Sequence, residues 1–283
     1  VTTAPLSSKP EKEDLVIYEI LLRDFVHPHS YAVLQDTLDY LQRLGINAIQ
    51  LMPVQEFEGN EGWGYNPSYH MALDKDYGSA DALRALVEEC HSRGMAVILD
   101  VVYNHAFGQS PLALLYWDGA QNRPAANNPW LNPIPKHDFN VGNDFNHESP
   151  ATKYFVKRVI SWWMQTYGID GFRFDLASGF TQRNSLGNFN EWARYDTSRI
   201  NNIQEYADLM WSIDPESYVI LENFVDNSER KELSSRGMML WGNMSIEYGQ
   251  ASKGFGGSDL GGSWWEHVGW GEPGLIAYME SHD

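Results

Sequence analysis

The residues of this chain that could do chemistry sit where apolar runs break off. In GFRFDLA (171–177), period-2 alternation places Arg173 and Asp175 on one face and Phe172 and Phe174 on the other. VILENF repeats the arrangement, with Glu222 two residues after Ile220. In ILDVVYNH, Asp100, Val102 and Asn104 are in phase, and His105 follows at the exit. The last apolar run leads into ESHD, which carries His282 and Asp283. Any one of these could be a satisfied core polar group, and Arg173 with Asp175 alone could be a structural ion pair. Four strands ending in carboxylates at one face ask for another reason, because crowded carboxylates repel and a fold gains nothing by assembling them. A metal is one candidate, but Arg173 within the cluster opposes a cation. His105 and His282 each stand beside an amide or a carboxylate, partners suited to binding a hydroxyl. Glycosidic cleavage fits better. It needs one ionised and one protonated carboxyl, about 5–5.5 Å apart when configuration is retained.

The elements that must position these residues alternate along the chain. LVIYEILLRDF (15–25), AIQLMPV (48–54), AVILDVVYN (96–104), GFRFDLA (171–177), YVILENF (218–224), MMLWGNM (238–244) and LIAYMES (275–281) read as strands. YAVLQDTLDYLQRLG (31–45), SADALRALVEECHSRG (79–94), ATKYFVKRVISWWMQTYG (151–168) and NNIQEYADLMWSID (201–214) read as helices, with Ser79 and Gly94 as cap and exit of the second. Strands separated by helices imply right-handed βαβ units and a parallel sheet, so an α/β barrel is expected, with a doubly wound open sheet as the rival. No glycine-rich phosphate loop is present, which removes support for nucleotide-binding versions, and no organic cofactor is expected. Residues 106–150, rich in Pro, Asn and Gly, form a long excursion after the third strand, of the kind that shapes an active-site cleft. A second glycine-rich stretch, 249–265, reads as a loop.

Composition narrows the partners. The chain has 283 residues, 43% of them hydrophobic, enough for one barrel-sized domain. Its net charge of −18 argues against nucleic acid or an anionic membrane surface, both of which need basic protein. A neutral polymer such as a polysaccharide is compatible with that charge. No apolar run reaches the roughly 18 residues of a membrane span. The single cysteine, Cys90, rules out an intrachain disulfide and reads as a small buried hydrophobe. Residues 1–14 (VTTAPLSSKPEKED) read as a linker and lack the order of a signal peptide, which leaves the compartment open.

DVVYNH (100–105), GFRFDLA (171–177), the Glu of LENF (222) and ESHD (280–283) stand in the order of four short segments of the α-amylase family of glycoside hydrolases, which the chain resembles from about Leu15 onward. WGYNPSYHMALDKDYG (63–78) resembles that family's segment before the third strand. The resemblance implies a TIM-type (β/α)8 barrel (residues 15–105 and 151–283) with a small domain inserted after strand three (106–150). It also implies a retaining glycosidase cleaving α-glucosidic bonds in starch- or glycogen-type α-glucans through a covalent glucosyl-enzyme intermediate. Asp175 resembles the nucleophile, Glu222 the general acid/base, and Asp283 the third carboxylate that grips sugar hydroxyls. Arg173 would orient Asp175, with Asp100 supporting the arginine. His105 and His282 look like hydroxyl-binding histidines, and Tyr65 like an aromatic platform under the reacting sugar. On this assignment Asp175 and Asp283 should raise the pKa of Glu222, while Arg173 keeps Asp175 ionised.

Two departures qualify the resemblance. Ser178 and Gly179 replace a Lys-His pair found after the nucleophile in many α-amylases, and the WGYNP form around Tyr65 is similar to debranching and branching relatives. If calcium binds, it is expected between Asn104 and the inserted segment, with Asp144 as the carboxylate. An α-glucan transglycosylase of branching type is the nearest alternative, and a non-catalytic relative that binds sugar or a partner protein is a third. The seventh strand ends near Asp283, so an open sheet with unpaired first and seventh edges is expected, with the residues forming a fragment of a longer enzyme.

Overall fold

The computed structural model describes every residue except Val1, Thr2, Ala4, Asn60, Asn140 and Asp283. Its centre is a seven-stranded sheet: β1 (Ile17–Ile20), β2 (Ala48–Leu51), β3 (Ala96–Val101), β4 (Gly171–Phe174), β5 (Tyr218–Leu221), β6 (Met239–Asn243) and β7 (Leu275–Tyr278). All pairings are parallel, and spatial order follows chain order from β1 to β7. Helices on the connections give the sheet a consistent outer face, as right-handed crossovers require. The central strands β2 to β5 are buried throughout, matching their unbroken Val, Ile and Leu content.

Alternation sorts the strand side chains into two layers. Ile49, Leu51, Val97, Leu99, Val101, Phe172, Phe174, Val219 and Leu221 face the helices in one large core. Ala48, Ala96, Ile98, Tyr218, Ile220, Met239 and Trp241 form a second cluster on the other face. Residues of non-neighbouring strands meet in that second cluster, so the sheet is curled and the cluster lies in its concavity. Leu6 enters the same cluster from the N-terminal segment. Lys9 pairs with Asp170 at 3.5 Å, and the Pro10 carbonyl accepts the Tyr218 hydroxyl at 2.6 Å. The stretch before β1, expected as a linker, is thus packed against the N-terminal end of the sheet.

Strands are shorter than their apolar runs. The 15–25 run is strand only over Ile17–Ile20 and turns helical at Leu22–Phe25. The 31–45 helix is two pieces, Tyr31–Gln35 and Leu38–Arg43, parted where the Thr37 hydroxyl bonds back to the Leu34 carbonyl at 2.8 Å. Helices Ala80–Ser92 and Pro150–Tyr167 carry serine caps, Ser79 and Ser149, and the second ends on Gly168 at φ 69°. Part of the expected 249–265 loop belongs to helix Ser245–Ser252, and Leu260–Ser263 forms a 3-10 turn.

The long excursion after β3 contains a short helix, Pro111–Leu114, and two-residue strand pairs such as His105–Ala106 with Asn143–Asp144. Ala106, Ala113, Leu131 and Phe145 make its small core, and Phe155 of the following helix packs against both this core and the main one. Between β1 and β7 lies a cavity of about 590 Å³, lined among others by Ile17, Glu19, Trp241, Leu275 and Tyr278.

Candidate active site

Register brings the polar residues together. Arg173 of β4 lies directly beside Asp100 of β3, so the two side chains share the concave face. The ladder continues one step past the strand ends: Asp175 N–H donates to the Val101 carbonyl at 2.9 Å, and Glu222 N–H to the Phe174 carbonyl at 3.1 Å. Asp175 and Glu222 therefore emerge side by side at the C-terminal edge, where functional residues of such sheets collect.

One guanidinium organises all three carboxylates. Arg173, fully buried, donates through Nη1 to both Asp100 oxygens at 2.9 and 3.0 Å and to Asp175 Oδ1 at 3.1 Å. Its Nη2 donates to Glu222 Oε2 at 2.9 Å. The Leu176 N–H reaches the same Glu222 oxygen at 2.8 Å. Arg173 also lies 3.9 Å over the Trp241 ring, which holds the guanidinium plane from beneath. Arg173 was expected to serve Asp175. It serves Asp100 and Glu222 equally, and the nearest oxygens of Asp175 and Glu222 are no farther apart than one guanidinium and two hydrogen bonds allow.

Burial and Arg173 act on these carboxyls in opposite directions. Burial holds the Asp175 carboxyl well above the usual carboxylate range, overriding Arg173, and the nearby charges of Glu222 and Asp100 add to the effect. Burial likewise raises Asp100 despite Arg173. Burial opposes the charge on Arg173 itself, but Asp100 and Glu222 outweigh it and raise the arginine further. One cation faces three carboxylates, and burial favours the neutral form of Asp175 more than an open carboxylate site would. Arg173 favours the ionised form of Asp175, and burial opposes it more strongly.

The remaining candidates form a second tier. The Tyr65 hydroxyl donates to Asp100 Oδ2 at 2.6 Å, and its ring stacks on His282 at 4.7 Å between centroids. A cleft of about 410 Å³ beside it is lined by Trp63, Tyr65, Asn66 and Phe107, with Arg23 and Val141. His105 does not take the expected hydroxyl-binding role. Its Nε2 bonds the Tyr65 carbonyl at 2.8 Å and its Nδ1 accepts from Asn104 at 3.1 Å. With both nitrogens engaged and burial pushing its pKa down to about 4, it is a neutral prop for the Tyr65 loop. Asp283 lies outside the described residues.

Glu19 of β1 is the residue that sequence reasoning missed. It bonds both the backbone N–H and the imidazole Nδ1 of His282, each at 2.9 Å. The signal was present, because Glu19 interrupts the apolar run of β1 just as Asp100 interrupts β3.

The arrangement around Asn104 and Asp144 does not fit calcium. Asn104 Oδ1 accepts from His137 Nε2 at 3.1 Å, and the same nitrogen lies 3.6 Å from Asp144 Oδ1. Asp144 Oδ2 is taken by Asn132 at 2.8 Å and the Lys136 N–H at 3.1 Å. An imidazole nitrogen thus stands between the two oxygens, where an ion needing 6–8 oxygen ligands would have to sit. Gly179 makes this possible: a Cβ there would lie 1.9 Å from Asn104 Oδ1.

The family model described as "Alpha amylase, catalytic domain" matches residues 32–112. Malto-oligosyltrehalose trehalohydrolase of Saccharolobus solfataricus is 34% identical over 172 residues, covering 60% of this chain and 28% of the relative. Isoamylase SU1 of Zea mays is 34% identical over 207 residues, covering 62% of this chain and 26% of the relative. Over the matched stretches the chain is similar to the α-amylase family. In fold it is similar to the Group B Streptococcus pullulanase SAP, with TM-score 0.71 at 21% identity over 100% of this chain and 41% of that one. The chain spans about a quarter of the length of the curated relatives it matches.

Proposed function

We propose that this chain carries the catalytic site of a retaining glycoside hydrolase acting on α-linked glucans of the starch or glycogen type, with its sheet as seven strands of a (β/α)8 barrel. The observation that carries the reading is the pair Asp175 and Glu222, on adjacent strand ends and tied to the two amino groups of one buried arginine. Retention needs two carboxyls close enough for one to attack the anomeric carbon while the other protonates the departing oxygen. The hydrogen bonds from Arg173 and from the Leu176 N–H both fall on Glu222 Oε2, so Oε1 is the oxygen suited to carry the proton.

In this mechanism Asp175 attacks the anomeric carbon, the glycosidic C–O bond breaks, and Glu222 gives its proton to the leaving oxygen. Glu222 then takes a proton from water, whose oxygen displaces Asp175 and releases the sugar. The mechanism requires Glu222 to be the proton donor when the bond breaks. Positive charge developing at the sugar beside Asp175 stabilises its carboxylate. The cleft lined by Trp63, Tyr65 and Phe107 offers flat apolar faces for glucose rings. Similarity to proteins named trehalohydrolase, isoamylase and pullulanase supports an α-glucan substrate.

The test is incubation with amylopectin, scoring reducing ends and branch content together. Hydrolysis raises reducing ends. Branch transfer, the alternative for the same covalent intermediate, raises branch content with little change in reducing ends. Neither change over long incubation would overturn the enzymatic reading in favour of a binding-only protein.

A further inference from the structure

We propose that Glu19 is a positioning residue that clamps the segment after β7 and fixes His282 against Tyr65 at the sugar-binding edge of the site. The inference rests on the glycosidase reading for its catalytic consequence but not for its geometry. Glu19 sits on the concave face of β1, level with Gln50 of β2, which donates to Glu19 Oε1 at 3.1 Å. Its two oxygens hold His282 at two points 2.9 Å away, the backbone N–H on Oε2 and Nδ1 on Oε1. Two-point attachment fixes the ring's rotation as well as its position. His282 then stacks on Tyr65, whose hydroxyl reaches Asp100, which in turn holds Arg173. A continuous chain of contacts runs from β1 to the two catalytic carboxylates, and Glu19 is its far anchor.

The clamp also sets charge. Among the described residues, the groups facing His282 include Glu19 from β1, Asp100 from β3, Arg173 from β4 and the Tyr65 hydroxyl, with Trp241 of β6 and Trp63 as uncharged neighbours. Burial alone would lower the His282 pKa, but the hydrogen bond and charge of Glu19 override it and raise it, with Asp100 adding to the rise. Burial opposes ionisation of Glu19, and His282 overrides that in turn. Each partner thus favours the charged form of the other, and an Nδ1 proton would point at Glu19 Oε1.

Glu19→Gln removes the charge and keeps the shape, and Glu19→Asp keeps the charge on a shorter stem. In NMR titration of labelled histidine, His282 should titrate at lower pH in Glu19→Gln than in wild type, and return toward wild type in Glu19→Asp. On maltooligosaccharides, Glu19→Gln should raise KM about tenfold with kcat changed less than about threefold, and its activity should fail at lower pH on the alkaline side. The proposal is overturned if His282 titrates alike in wild type and Glu19→Gln, or if Glu19→Asp behaves as Glu19→Gln. Inactivity of the wild-type protein on every α-glucan would overturn the glycosidase reading, while the titration still decides the role of Glu19.

Discussion

Asp175 and Glu222 carry the same chemical group, and the proposed mechanism gives them different roles. Glu222→Gln keeps the hydrogen bonds to Arg173 and Leu176 within reach but cannot donate an acid proton. Its rate on amylopectin should fall by about 10²–10⁴-fold, as loss of a general acid does. Its rate on an aryl glucoside with an acidic leaving group should fall much less, since that group departs without protonation. An equal loss on both substrates would count against Glu222 as the acid. Asp175→Asn should remove activity yet stabilise the fold. A carboxyl whose folded pKa is raised contributes stability below its unfolded pKa, about 3.9, and that contribution is lost as pH rises through the folded value. Asparagine stays neutral, so the Tm advantage of Asp175→Asn over wild type should grow from acid to neutral pH in calorimetry. A variant less stable than wild type at neutral pH would show that Arg173 outweighs burial. Asp100, Arg173, Asp175 and Glu222 were legible in the sequence because each breaks an apolar strand in phase. The role of His105 was not legible, because whether an imidazole faces a sugar or a carbonyl depends on where the Tyr65 loop comes to rest.

The elements position these groups through register and close backbone approach. Strand existence and order could be read from alternating apolar runs and capped helices. Strand ends could not, because the runs continue into turns and helices once the ladder stops, as at Leu22–Phe25. The connection after β4 depends on Gly179, whose lack of a side chain lets Asn104 and His137 close over it. Gly179→Ala should cost about 1–3 kcal/mol, the range for overpacking a dense interior. Urea denaturation measures it, and an unchanged midpoint would mean that Asn104 can retreat. Because His137 already spans Asn104 and Asp144, a strong chelator should leave Tm unchanged. A chelator-induced fall would restore calcium to that place. The Glu19–His282 pair adds its own signature. The raised His282 contributes stability below its unfolded pKa and loses it as pH rises through the folded value; the lowered Glu19 loses its share as pH falls through its own. The Tm deficit of Glu19→Gln should therefore be greatest between those two values.

At the scale of the molecule, a net charge of −18 surrounds a concave site whose substrate is proposed to be neutral. Binding a neutral glucan releases no counterions, so KM for amylopectin should stay within about twofold between low and moderate salt. A steep salt dependence would point to a charged ligand instead. The curled sheet holds Asp175 and Glu222 at one edge with Arg173 between them, and the central claim is that this geometry forms a covalent sugar intermediate on Asp175. The most direct measurement is to treat the protein with a fluorinated α-glucosyl fluoride that slows hydrolysis of the intermediate, then map adducts by peptide mass spectrometry. One sugar unit on the peptide containing Asp175, absent from Asp175→Asn, is the expected result. Turnover of α-glucans with no adduct at Asp175 and products of inverted configuration would contradict it.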